Sequence, residues 1–207
     1  QSLRDAVAQV GYPCVLKTRT LGYDGHGQAV LRSEEDLAKA LPLLAVPCIL
    51  EAFVDFDYEA SLVMVADGEK VVTFPVGRNI HRDGILDLCC VPAQELSPGL
   101  EQRMRRTGES FMRACGYTGI LAVELFVKGD RFWFNEMAPR PHNSGHWTIE
   151  GCTTNQFREL VRYLAGLPLE EPRLQAPTVM KNILGRDLEA AERLAAERHD
   201  GVFVHLY

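Results

Sequence analysis

Residues 119–136 read GILAVELFVKGDRFWFNE, two apolar runs separated by Gly129-Asp130. A Gly-Asp pair between β-prone runs predicts an antiparallel hairpin, here 119–127 with 131–136. A plain two-residue turn pairs 128 with 131, and so Glu124 with Asn135. A one-residue bulge instead sets Glu124 opposite Glu136. In both registers three oxygen-bearing side chains become neighbours, because opposed positions lie only about 5 Å apart. Val123, Leu125, Phe126, Phe132, Trp133 and Phe134 make the strands read as buried. Two carboxylates held together in such a setting repel unless a cation joins them, and oxygen ligands are what Mg2+ takes. Glu124 and Glu136 are therefore candidate metal ligands. The competing reading is an edge hairpin with solvated polar side chains.

Downstream, residues 137–152 read MAPRPHNSGHWTIEGC. Arg140 stands between two prolines, followed by His142, Asn143, Ser144 and His146. Prolines stiffen the backbone, and a polar segment leaving a buried strand is where a scaffold presents reactive groups. The fork of donors on Arg suits a planar oxyanion such as bicarbonate. A purely structural loop is the alternative.

Upstream, the strand-like run Pro13-Cys14-Val15-Leu16-Lys17 leads into TLGYDGHGQAV at 20–30. Glycines at 22, 25 and 27 allow backbone N–H groups to converge on an anion, with Lys17 adding an ammonium. A glycine-rich hairpin turn beside a surface lysine explains the same residues. Cys48 to Val54 reads as a strand running into a crossing segment whose backbone could meet an adenine edge, with Glu59 placed eight residues past Glu51.

The remaining pattern predicts helices over 2–10, from Ser33 to about 44, 97–115, 153–165 (capped by Thr153 or Thr154, stopped by Gly166) and 187–198. It predicts strands at 28–32, 58–66, 70–76, 85–91, 178–184 and 202–206. The expected architecture is α+β in two lobes, 1–52 and 53–207, with an antiparallel sheet in the larger. A hydrophobic share of 46% supports a sizeable core, and a formal net charge of −6 argues against nucleic acid or anionic membrane as partner. No apolar run approaches a membrane span. Six cysteines without C-x-x-C spacing read as free thiols of a reducing cytoplasm.

Taken in order, VLKTRTLGYDGHGQ, ILEAFVDFDYEASL, NIHRDGIL, VELF, NEMAPRPHNSGHWT and LVRYLAGLPL resemble the ATP-grasp superfamily. Within it they are similar to the 5-(carboxyamino)imidazole ribonucleotide synthases of purine biosynthesis. The resemblance implies two lobes with ATP between them. It implies that Lys17 and the loop of Gly22, Tyr23, Asp24, Gly25, His26, Gly27 and Gln28 meet the ATP phosphates. Glu51, Ala52, Phe53 and Val54 would form the adenine hinge, Glu59 would hold the ribose, and His81 would lie near the nucleotide. Glu124 and Glu136 would bind Mg2+, with Asn135 beside the phosphates. Arg140, His142 and Asn143 would receive bicarbonate and aminoimidazole ribonucleotide.

Leu21 departs from the family pattern where a further glycine is usual, and His26 where Lys or Arg is common. The resemblance further implies an N-terminal substrate domain that this chain lacks, little activity for the chain alone, and a homodimer as the usual assembly. The rival readings are a formate-dependent glycinamide ribonucleotide transformylase and a non-catalytic nucleotide-binding module.

Overall fold

Ser2 starts helix α1 (Leu3–Val10): its hydroxyl accepts from the Asp5 N–H while the Asp5 carboxylate accepts from the Ser2 N–H. Gly11, at φ +84°, ends it. The computed structural model describes residues 2–20, 26–197 and 199–206. It divides into one unit of Gln1–Asp55 with His81–Ile85 and a second of Phe56–Ile80 with Leu86–Tyr207.

In the first unit, β1 (Cys14–Thr18) is the central strand, flanked by β2 (Gln28–Leu31) and, after helix α2 (Leu37–Ala40), by β3 (Cys48–Ala52). Both ladders are antiparallel. Val7, Cys14, Leu16, Leu31 and Ala40 make its core. The continuous helix expected from Ser33 to 44 is instead a single α turn between two 3-10 segments, Glu34–Asp36 and Leu41–Ala45. Pro42 lacks the N–H that would carry an α-helix onward.

In the second unit, β4 (Tyr58–Ala66) pairs with β5 (Val71–Thr73) at one end and β6 (Gly77–Arg82) at the other. Pro75 separates the two, so the strand expected at 70–76 is shorter and β6 was not anticipated. β7 (Ile85–Val91), helix α3 (Pro98–Ala114), β8 (Gly119–Lys128), β9 (Arg131–Ala138), helices α4 (Thr148–Gly151) and α5 (Gln156–Leu164), β10 (Thr178–Lys181) and helix α6 (Leu188–Glu197) follow. The large sheet runs β10-β7-β6-β4-β8-β9, with β5 also on β4. Its β4–β8, β8–β9, β4–β6 and β7–β10 ladders are antiparallel, giving the expected α+β class.

Strand alternation gives this sheet two faces. Leu62, Met64, Leu121, Val123 and Leu125 point to α3, meeting Leu100, Met104 and Met112. Val63, Val65, Ile120 and Ala122 point the other way, toward Trp147 and the Leu160 and Tyr163 side of α5. Asn155, rather than Thr153 or Thr154, caps α5, its side chain accepting from the Phe157 and Arg158 N–H groups. Residues 202–206 form no strand: the alternating pattern is there, but no ladder partner stands beside it among the described residues.

Candidate functional site

The hairpin resolves the register question in favour of the bulge. Lys128 opposes Arg131 and Leu125 opposes Phe134, but Glu124 opposes Glu136, so Asn135 is the extra residue. The consequence is directional. Without the bulge, Glu136 would turn to the α3 face beside Val123 and Leu125; with it, Glu136 shares the face of Glu124.

That face is apolar at one end and polar at the other. Beyond Val63 and Ala122 it carries Ser61, which opposes Glu124, and Glu59, which opposes Asn79 on β6. Glu124 is only 7% exposed. The buried Ser61 hydroxyl donates to Asn79 Oδ1 at 3.3 Å, while Asn79 Nδ2 has no hydrogen-bond partner among the described residues. Sequence reasoning missed Asn79, which lies two positions before the predicted His81. His81 is half-buried on β6 and belongs to the first unit.

From Ala138 the chain leaves β9 through Pro139-Arg140-Pro141 and turns over a 3-10 segment, Asn143–Gly145. His142 Nδ1 lies 3.8 Å from Glu124 Oε1. One ligand atom each from Glu124, Glu136 and His142 lies within 4.8 Å of the others. Two carboxylates and an imidazole so converged form a donor set that fits a divalent cation, with the carboxylates as the hard ligands Mg2+ prefers. Asn143 is half-buried beside them, its Oδ1 shielded from water and without a hydrogen-bond partner among the described residues. Arg140 is exposed, its guanidinium donating to the Pro141 carbonyl at 3.0 Å. His146 packs on the Phe157 ring at 5.6 Å, and burial, with a smaller contribution from His205, holds its pKa below the ordinary imidazole value.

Two further residues fix this loop: Ser144, which the sequence offered only as one polar group of the segment, and Gln156, which it did not single out. Ser144, fully buried, places its N–H and its hydroxyl against His142 Nδ1 at 3.3 and 2.9 Å. Gln156, also fully buried, accepts from the His142 N–H at 2.9 Å and donates to the His142 carbonyl at 2.8 Å. Read along the chain, Gln156 is an ordinary first-turn helix residue; its role appears only through a contact made fourteen positions away.

In the first unit, Lys17 is half-buried on β1 and its Nζ meets Glu51 Oε2 of β3 at 2.8 Å. Ala52 closes β3, Phe53 lies under the Arg32 guanidinium, and Val54 is half-buried. The hairpin from β1 to β2 closes with Thr18 N–H donating to the Gly27 carbonyl at 2.8 Å, and Gln28 opposes Lys17. Gly27 sits at φ +78°, a backbone state that favours glycine. His26 is exposed, and Leu21, Gly22, Tyr23, Asp24 and Gly25 lie outside the described residues.

Comparison with known proteins places the chain in a family. The N5-carboxyaminoimidazole ribonucleotide synthase of Pseudomonas aeruginosa is 44% identical over 187 residues, covering 87% of this chain and 50% of the relative. An ADP complex of an N5-carboxyaminoimidazole ribonucleotide synthetase matches with a TM-score of 0.88 and 42% identity over 94% of this chain and 52% of that one. The Aspergillus clavatus N5-carboxyaminoimidazole synthase, in complex with ADP and 5-aminoimidazole ribonucleotide, matches with a TM-score of 0.83 and 29% identity over 94% of this chain and 53% of that one. The chain thus spans about half the length of these relatives. The ATP-grasp domain model matches residues 1–157, taking in the β1–β2 hairpin, the bulged carboxylate strands and the His142 turn. On that match and this architecture, the chain belongs to the ATP-grasp family.

Proposed function

We propose that the complete polypeptide carrying this chain uses ATP and bicarbonate to carboxylate the exocyclic amine of 5-aminoimidazole ribonucleotide. The observation that carries this reading is the bulge at Asn135, which sets Glu124 opposite Glu136 next to the His142–Asn143 turn. The similarity to relatives named for this reaction and crystallised with ADP and the imidazole substrate supports it.

In this reading bicarbonate oxygen attacks the γ-phosphorus, the bond to the β-phosphate bridging oxygen breaks, and carboxyphosphate and ADP result. The substrate amine then takes the carboxyl carbon, directly or as CO2 released in place, and phosphate leaves. Such chemistry rests on positioning, charge neutralisation and exclusion of water. Lys17 takes the phosphates together with the 22–28 loop, the backbone from Glu51 to Val54 takes the adenine edge, and Glu59 takes the ribose. His81 stands near the nucleotide, and Asn135 beside the phosphates. Glu124 and Glu136 hold Mg2+, which when bound offsets the phosphate charge. Arg140 offers its fork of donors to bicarbonate, and His142 and Asn143 face the imidazole substrate. The nucleotide lobe is 1–52 and the metal and substrate lobe 53–207.

Six free cysteines fit a reducing cytoplasm. No helix among the described residues is long and apolar enough to cross a membrane. A homodimer is the assembly proposed by analogy.

The test is ADP release by the complete polypeptide with MgATP, adding bicarbonate and aminoimidazole ribonucleotide separately and together. Turnover only with both is expected. Turnover that requires formate and glycinamide ribonucleotide would replace this reading with the transformylase.

A further inference from the structure

We propose that Gln156 is a positioning residue, clamping the His142–Asn143 turn in the geometry that faces the substrate. The inference rests on the carboxylation reading for its kinetic consequence, but its geometric content stands apart from it.

The side-chain amide of Gln156 pairs with both backbone groups of one residue, His142, as a neighbouring strand would. It holds that backbone extended, at φ −123° and ψ 150°. The other end of the turn is tied to the same place. Gln156 N–H donates to Thr148 Oγ1 at 3.2 Å, and the Thr148 hydroxyl donates to the Gly145 carbonyl at 2.6 Å. Both ends of residues 142–145 are therefore fastened to the head of α5.

The clamp is fitted to the turn it grips. A Cβ on Gly145 would come within 2.5 Å of Gln156 Oε1, so the amide lies where only glycine leaves room. Inside the turn, the Ser144 N–H lies against His142 Nδ1 at 3.3 Å. Asn143 keeps a shielded Oδ1 with no partner among the described residues, an acceptor available to a donor on the ligand. An apolar side chain such as Met would fill the same space as Gln156. A buried amide brings something Met lacks: two directed hydrogen bonds that fix where His142 and Asn143 point.

The test compares Gln156→Met, which keeps the volume, and Gln156→Glu, which keeps the acceptor for His142 N–H but removes the donor to its carbonyl. In the complete polypeptide both should bind MgATP within about twofold of the parent. Turnover should fall on the order of 10- to 100-fold, as expected when reacting groups are misplaced by about 1 Å. The KM for aminoimidazole ribonucleotide should rise. A role in folding alone would lower thermal stability and leave kcat and both KM values of the folded enzyme unchanged; that result overturns the proposal.

If Gln156→Met does not fold, Gly145→Ala pushes the amide aside with one methyl and should give the same split. Nitrogen-15 spectra of His142 give a readout independent of turnover. The imidazole signals should move in Gln156→Met, and unchanged signals would overturn the clamp. Should the parent show no bicarbonate-dependent turnover, the carboxylation reading fails while these spectra still decide the role of Gln156.

Discussion

Lys17 Nζ and Glu51 Oε2 are 2.8 Å apart, on adjacent antiparallel strands. The register makes this pair: Lys17 opposes Ile49, and Glu51 lies two positions along on the same face. Two residues proposed separately for the nucleotide are thus each other's partner, and the lysine is held in place by the strand that leads into the proposed hinge.

That pairing separates binding from stability in the first prediction. The side chains are 22% and 39% exposed, so the ion pair is screened and contributes no more than about 1 kcal/mol. Lys17→Ala should shift the thermal midpoint by a few degrees at most, about what such a loss gives in a small domain. In calorimetric titration it should weaken MgATP binding at least about tenfold, a loss of roughly 1.4 kcal/mol. Equal affinity in the two proteins would remove Lys17 from the nucleotide site.

A second prediction concerns the support under the turn. Glu159 of α5 is fully buried, its carboxylate accepting from the Thr154 hydroxyl at 2.5 Å and from the Glu170 N–H at 2.9 Å. Thr154→Val keeps the shape and removes one donor, leaving a buried carboxylate oxygen without it. Denaturant unfolding should show a loss of about 1–3 kcal/mol. A variant as stable as the parent would mean that water replaces the hydroxyl.

The cysteines give a third. Burial pushes the Cys89 thiol far up and the Cys152 thiol up to about 12, while Cys115 is exposed. A thiol-specific reagent at neutral pH should label Cys115 quickly, and Cys89 and Cys152 only on unfolding. The pH dependence follows with a definite sign. Both folded thiols titrate above the ordinary thiol value, so the unfolded chain loses these protons first as pH rises. Stability from them is complete below about pH 8.5 and falls above it, by about a tenfold population shift per thiol per pH unit. A stability profile flat to pH 10.5 would contradict the burial of both thiols.

Much of this architecture can be read from the chain because its signals are local. Gly129-Asp130 fixes the hairpin, Ser97 and Pro98 fix the start of α3, and Gly11 ends α1. What could not be read is long-range. The choice between the two hairpin registers depends on which face of β9 the large sheet leaves for a carboxylate, and the local sequence fits both. β6 carries Arg78, Asn79, His81 and Arg82, so its pattern looks like a loop; it is a strand because β4 offers it an edge. Residues 202–206 show the reverse, a strand pattern with no ladder partner among the described residues. Gln156 and Ser144 act through contacts that exist only once the turn has formed.

The bulge at Asn135 carries the central claim: it sets Glu124 opposite Glu136, the pair proposed to hold a cation. The most direct measurement titrates Mn2+ into the protein with a non-hydrolysable ATP analogue, with Mg2+ as competitor, and follows the free ion by electron paramagnetic resonance. The parent should show a site that Mg2+ empties. Glu124→Gln and Glu136→Gln should each weaken it at least about tenfold, the loss of one charged ligand from a shared ion. Without cation, either variant should be as stable as the parent or more so, because opposed like charges cost about 0.2–1 kcal/mol. Identical Mn2+ isotherms for all three proteins would contradict the account.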